Sequence, residues 1–104
     1  MKTAIVILNW NTEEYLRKFL PGVIASAPKD AEVIVADNDS SDASVPSLAQ
    51  FFPSVRRICF QENHGFTGGY NRALGLIKDE GFEYYILLNS DIEVKEGWRS
   101  RWPP

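Results

Sequence analysis

The feature that most constrains this chain is a run-and-stop pattern: short apolar runs, mostly rich in β-branched residues, that break off at polar loops. Ala4-Ile5-Val6-Ile7-Leu8 stops at Asn9 and Asn11 around Trp10, and Glu32-Val33-Ile34-Val35-Ala36 stops at Asp37, ahead of a polar tract from Asn38 to Ser44. Val55 to Phe60 runs into a glycine-containing loop, Gln61 to Gly69, and Tyr84-Tyr85-Ile86-Leu87-Leu88 stops at Asn89-Ser90-Asp91. Runs that are continuous rather than alternating suit strands covered on both faces, the signature of a mostly parallel sheet. Helix-length segments separate them. Thr12 with Glu13 and Glu14 reads as a helix start, a hydroxyl cap followed by first-turn acids that favour the positive end of the helix. Tyr15, Leu16, Phe19 and Leu20 form its apolar stripe, and Pro21 is expected to end or kink it, with a second short turn running to Ala27. A short helix is expected from Val45 to Phe52 with Pro46 in its first turn, and another from Thr67 to Lys78 with Tyr70, Ala73, Leu74 and Ile77 inward.

The resulting order, β-α-β-α-β-α-β, predicts a three-layer α/β/α fold once right-handed crossovers place helices on both faces of the sheet. In such sheets ligands bind beyond the carboxyl ends of the strands, near the point where strand order reverses. Three of those ends are polar, Asn9 to Asn11, Asp37 to Asp42 and Asn89 to Asp91, and their convergence marks a site. Composition removes other classes. A chain of 104 residues makes one compact domain, and 11 Lys and Arg against 14 Asp and Glu leave no basic surplus for nucleic acid. The single Cys59 excludes an intrachain disulfide framework and is read as core; one histidine gives no histidine-rich metal cluster. Ala4 to Leu8 is too short to cross a bilayer or to serve as an export signal, so a cytoplasmic location is expected.

Within the polar ends, residue chemistry suggests roles and leaves bland readings beside them. Asp37 can accept hydrogen bonds from a ribose hydroxyl or a base N–H, or can cap a turn; Asp39 or Asp42 is assigned the local role. Asp91 can ligate a hard divalent cation that also holds a diphosphate, with phosphates and water supplying most ligands, or can sit in a solvated turn. Gly65, Gly68 and Gly69 allow close backbone approach, for a phosphate or for a tight structural turn. Arg72 can reach a phosphate or a pyrimidine base, or lie solvated on its helix, and His64 has no visible partner for catalysis. Neither G-x-G-x-x-G nor G-x-x-x-x-G-K-[ST] occurs, which removes support for a nicotinamide-nucleotide site and an ordinary ATP loop.

Four segments taken together carry a resemblance. Ile5-Val6-Ile7-Leu8-Asn9-Trp10-Asn11, Val35-Ala36-Asp37-Asn38-Asp39-Ser40-Ser41-Asp42, Asn63-His64-Gly65-Phe66-Thr67-Gly68-Gly69-Tyr70-Asn71 and Ile86-Leu87-Leu88-Asn89-Ser90-Asp91 resemble, in this order, the opening half of a family 2 glycosyltransferase, nearest to the bacterial rhamnosyltransferase-like enzymes of surface polysaccharide synthesis. The resemblance implies a GT-A type nucleotide-diphospho-sugar transferase fold, here truncated. It implies a nucleotide pocket lined by Asn9, Trp10 and Asn11, and places Asp37 against the nucleoside. Asn63, Gly65 and Arg72 border the base and diphosphate, and Asn89 and Asp91 occupy the D-x-D position, with Asp91 as the metal residue.

The implied cofactor is Mn²⁺ or Mg²⁺, the donor a UDP- or dTDP-linked sugar, and the acceptor a glycan or lipid-linked glycan, with the protein at most peripheral at the inner face of the cytoplasmic membrane. The family reaction inverts the anomeric carbon, using a carboxylate base well beyond the D-x-D segment. No residue after Asp91 matches that base, since Glu93 and Glu96 lie too close, and the catalytic residue stays unassigned. Residues 1–98 are expected to form the N-terminal nucleotide-sugar-binding part of a glycosyltransferase domain. Residues 99–104 form an atypical tail whose two prolines oppose further helix. Two other readings stand beside this one. A non-catalytic nucleotide-binding or assembly module, with a homo-oligomer through the incomplete sheet, is favoured by an exposed sheet edge. A nucleotidyltransferase needs a glycine- and Lys/Arg-rich first loop, which Trp10-Asn11-Thr12-Glu13 does not supply.

Overall fold

The computed structural model describes residues 2–89, Asn89 through its backbone alone. Its elements are β1 (Thr3–Asn9), α1 (Glu13–Ser26), β2 (Ala31–Asp37), α2 (Ser44–Phe51), β3 (Arg56–Cys59), α3 (Gly65–Ile77) and β4 (Tyr84–Asn89). All strand pairs are parallel, and the sheet order is β3-β2-β1-β4. The chain therefore moves outward from β1 to β3, then crosses back over the sheet to place β4 on the other side of β1. That reversal puts α1 and α2 on one face and α3 on the other, because a right-handed crossover changes face when it changes direction. The result is the expected three-layer α/β/α arrangement, with the switch point between β1 and β4.

The alternation of β1 supplies both cores. Ala4, Val6 and Leu8 pack with Ile34 and Ala36 against Tyr70, Ala73 and Ile77 of α3. Ile5 and Ile7 pack with Val35 against Leu16, Phe19, Leu20 and Val23 of α1 and Leu48 of α2. A central strand buried on both faces has no polar side to offer, which is why its sequence is an unbroken apolar run.

Four expectations are corrected. Pro21 does not end α1 or divide it into a helix and a second turn; the helix continues to Ser26 with Pro21 inside it. Leu16, Leu20 and Val23 lie buried on one face while Pro21, Gly22 and Arg17 are exposed, so the carbonyl that loses its N–H partner lies on the wet side. Burial of Val23, worth about 1.5–3 kcal/mol, helps offset the proline's cost of about 3 kcal/mol. Helix α3 begins at Gly65, two residues earlier than expected. Cys59 is exposed, not core, because β3 is an edge strand that alternates half-buried and exposed residues. Finally, β4 is not wholly buried: Tyr85 and Leu87, paired in register with Ala4 and Val6, are exposed on the α3 face. Helix α3 packs over β1 and β2 and leaves them uncovered.

Candidate functional site

The register of β1 on β2 sets Asn9 beside Asp37 at the carboxyl end of the sheet. Both side chains are buried, Asn9 completely and Asp37 to 3% exposure. The Asp37 carboxylate accepts from Asn9 Nδ2 at 2.9 Å and Ser40 Oγ at 2.6 Å on Oδ1, and from the Ser40 backbone N–H at 2.8 Å on Oδ2. The Asn9 amide can face only one way in this network. Its Nδ2 must point at the carboxylate, and its Oδ1 accepts from Thr12 Oγ1 at 2.6 Å. Thr12 thus corrects another expectation. It stands at the N-cap position of α1 but makes no side-chain cap bond there. The carboxylate of Asp42 accepts from the Glu13 N–H instead, at 3.2 Å.

The first two loops are interlocked. Asn11 (φ +52°) and Asp39 (φ +64°) both adopt the left-handed region, which Asn and Asp tolerate better than other side-chain-bearing residues. The turn at Asn11 aims its Oδ1 at the backbone N–H groups of Ser41 (2.7 Å) and Asp42 (3.2 Å), while its own N–H donates to Ser40 Oγ at 3.0 Å. Asp42 caps both helices of this face, since it also accepts from the Ser44 N–H (3.0 Å) and hydroxyl (2.5 Å). Partial burial works to raise its pKa, but the hydrogen bonds from Ser44, Glu13 and its own backbone outweigh that, and the carboxyl is held below its ordinary value. Asp42 therefore has the local role assigned to it.

The third loop is tied to the second by Asn38, buried to 2% exposure. Its Oδ1 accepts from the His64 N–H and its Nδ2 donates to the Gly65 carbonyl, each at 3.0 Å, while its backbone N–H donates to the Asn9 carbonyl at 2.8 Å. Asn63 closes a local turn by accepting from the Gly65 N–H at 2.7 Å, and Gly65 has φ +74°, a conformation suited to glycine. At Gly69 the helix passes so close that a Cβ would lie 2.7 Å from Leu8 Cδ1 and 2.9 Å from Asn38 Nδ2. The Tyr70 hydroxyl reaches across to the Leu88 carbonyl of β4 at 2.5 Å.

The expected site residues fall into groups. Asn9, Asn11 and Asp37 form one hydrogen-bonded cluster with Thr12 and Ser40. Asn63 and Gly65 lie on the adjoining loop, joined to it through Asn38. Trp10 is 53% exposed in the loop after β1. Arg72 is exposed on α3, bordering a shallow depression with Phe60, Gly75 and Leu76, and makes no hydrogen bond to the Asn9–Asp37 cluster among the described residues. The backbone of Asn89 pairs with Leu8 at the same end of the sheet; its side chain and Asp91 lie outside the described residues. Ser40 and the Thr12 hydroxyl were not anticipated as parts of this cluster. The three-residue spacing of Asp37 and Ser40, which suits a carboxylate folding back onto a following N–H, carried that signal.

A family model for glycosyl transferase family 2 matches residues 4–101. The chain belongs to this family. It is 28% identical over 99 residues to the glycosyltransferase GlyA of Streptococcus pneumoniae, a match covering 93% of this chain and 14% of that protein. It is 25% identical over 114 residues to the N-acetylglucosaminyl-diphospho-decaprenol L-rhamnosyltransferase of Mycobacterium tuberculosis, covering 95% of this chain and 37% of the relative. The chain thus spans well under half the length of these relatives. Among solved structures, Staphylococcus aureus TarS 1-349 superposes with a TM-score of 0.78 at 23% identity, covering 97% of this chain and 31% of that one. TarS 1-349 in complex with UDP-GlcNAc superposes with a TM-score of 0.73 at 24% identity, covering 88% and 27%. These likenesses show the GT-A fold.

Proposed function

We propose that the carboxyl end of this sheet binds the nucleoside diphosphate of a UDP- or dTDP-linked sugar, as the donor side of a glycosyltransferase acting on a glycan or lipid-linked glycan acceptor in surface polysaccharide synthesis. The observation that carries the reading is Asp37, a buried carboxylate at the carboxyl end of β2, one strand from the switch point between β1 and β4. A carboxylate offers about four acceptor positions. Among the described residues Oδ1 takes two hydrogen bonds and Oδ2 one, so a single position on Oδ2 is left. That capacity suits the one ring N–H of uracil or thymine. Guanine presents two adjacent donors, and a paired acceptor would serve it better. TarS, solved with UDP-GlcNAc, supports the same class of donor.

The diphosphate calls for a cation, because Glu13, Asp39 and Asp42 already place negative charge at this end. Among the described residues no three His, Cys, Asp or Glu side chains form a metal cage, and the Asp37 oxygens face N–H and O–H donors. The described donor set alone therefore does not fit a metal. Mn²⁺ or Mg²⁺ held by Asp91 and the phosphates rests on sequence position, and no reaction step is derived through it. Trp10, Asn63, Gly65 and Arg72 complete the proposed nucleotide contacts, with Asn89 beside Asp91.

A cytoplasmic location is part of this proposal; among the described residues no helix is long and apolar enough to cross a membrane. A second reading, an assembly module, is favoured by one observation: β4 ends the described sheet with Tyr85 and Leu87 exposed, so a second copy could cover it. Calorimetric titration of the 104-residue chain with UDP, dTDP and GDP, with and without Mn²⁺ or Mg²⁺, separates these. Cation-dependent binding of the pyrimidine nucleotides above GDP, lost in Asp91→Ala, is expected. Binding that ignores the cation rejects the metal role. Failure of a folded chain to bind any nucleotide, with self-association in sedimentation, favours the assembly reading.

A further inference from the structure

Asn38 joins the carboxyl end of β1 to the start of α3 directly after β2. Its main-chain N–H is spent on the end of β1, and both functional atoms of its amide are spent on the backbone of His64 and Gly65. Neither bond helps β2 itself. They join Asp37's strand end to the start of α3, where Asn63, Gly65, Phe66 and Thr67 are exposed, Gly65 takes a positive φ, and the local contacts are the Asn63–Gly65 turn, the His64 contacts with Phe60 and Glu62, and the Phe66–Tyr70 ring contact. The amide cannot drift, because Gly69 lies so close that even a methyl group there would come within 2.9 Å of Nδ2. Only an amide provides one donor and one acceptor in this geometry; a carboxylate would turn an acceptor toward the Gly65 carbonyl. Asn38 also directly follows Asp37, so the same backbone turn that seats the carboxylate seats the clamp.

We propose that Asn38 is a positioning residue, which sets the Asn63–Gly65 loop at a fixed height above Asp37 so that one nucleotide engages both. This rests on the nucleotide-binding reading above. Asn38 itself does not touch the ligand; it acts through the His64 and Gly65 backbone. A merely structural role would lower stability and leave the binding constant of the folded fraction unchanged. A positioning role lowers affinity in a protein that is still folded.

The test uses UDP on the 104-residue chain, with dissociation constants from calorimetry and amide shifts from heteronuclear NMR. Wild type is expected to show UDP-induced shifts in both the Asp37–Ser40 and the Asn63–Gly69 segments. In Asn38→Ala the first set persists and the second collapses, with affinity about tenfold weaker, the scale of one net hydrogen bond. Asn38→Ser, which removes the bridge to His64 and Gly65 without burying a charge, guards against failure of the alanine variant to fold and is expected to weaken binding in the same direction. Affinity within twofold of wild type in either folded variant, or unchanged shifts at Asn63–Gly69, overturns the positioning role while leaving nucleotide binding intact. Absence of UDP binding by wild type overturns both, and is read before either variant is made.

Discussion

The close packing at Gly69 gives a sharp stability prediction. Gly69 and Gly75 lie in the same helix, and alanine at either gains about 1 kcal/mol of intrinsic helix preference over glycine. Their surroundings differ completely. A Cβ at Gly75 meets nothing within 4 Å, whereas at Gly69 it meets Leu8 Cδ1 at 2.7 Å, Asn38 Nδ2 at 2.9 Å and Leu8 Cδ2 at 3.1 Å. The leucine methyls can swing, although only into a packed core. The Asn38 amide is held from both sides by His64 and Gly65 and cannot yield without losing a hydrogen bond. Overpacking of this kind costs about 1–3 kcal/mol. Gly75→Ala is therefore expected to stabilise the chain by about 0.5–1 kcal/mol, and Gly69→Ala to cancel that gain and destabilise by up to about 2 kcal/mol. Urea unfolding of the two variants side by side removes the shared helix term, and their difference reads the close approach alone. Equal midpoints would refute the reasoning, because α3 would then not be pressed against β1 and the Asn38 turn.

Two further predictions follow from local chemistry. Thr3 Oγ1 is buried with no hydrogen-bond partner among the described residues, so the isosteric Thr3→Val should raise unfolding free energy by about 1 kcal/mol in urea titration. Asp42→Asn removes the charge and one of the two acceptor oxygens, leaving either the Glu13 N–H or the Ser44 groups without their partner. Because the folded Asp42 carboxyl lies below its ordinary 3.8, wild type carries that contribution fully above this pH and loses it as pH falls through the lower folded value. Unfolding midpoints measured across this acid range should therefore decline less steeply in Asp42→Asn than in wild type.

What could be read in the sequence was what depends on local pattern. Unbroken apolar runs are distinctive when a strand is central, and β1 and β2 came out within a residue or two of their expected bounds. The same reasoning misjudged the edges. Cys59 and Leu87 look like core in sequence, but an edge strand lacks a neighbour and α3 is too narrow to cover it. Pro21 was misread because local preference ignores what lies beyond it: Val23 had a place in the core, and the proline could face water. In the site, Asp37 and Asn9 were visible as polar stops after apolar runs, whereas the clamp of Asn38 on His64 and Gly65 spans 26 and 27 residues and depends on where α3 lands. Thr12 was assigned to its helix because caps are local; its hydroxyl turned instead to Asn9.

The central claim is that the loops after β1, β2 and β3 form one surface for a nucleoside diphosphate. Backbone amide shifts of the isotopically labelled chain during a UDP titration test it most directly. Saturable shifts are expected in residues 9–12, 37–42 and 63–69, with the opposite end of the sheet around Lys29 and Glu32 unmoved. Shifts confined to that opposite end, or a folded spectrum that UDP does not change, would contradict it.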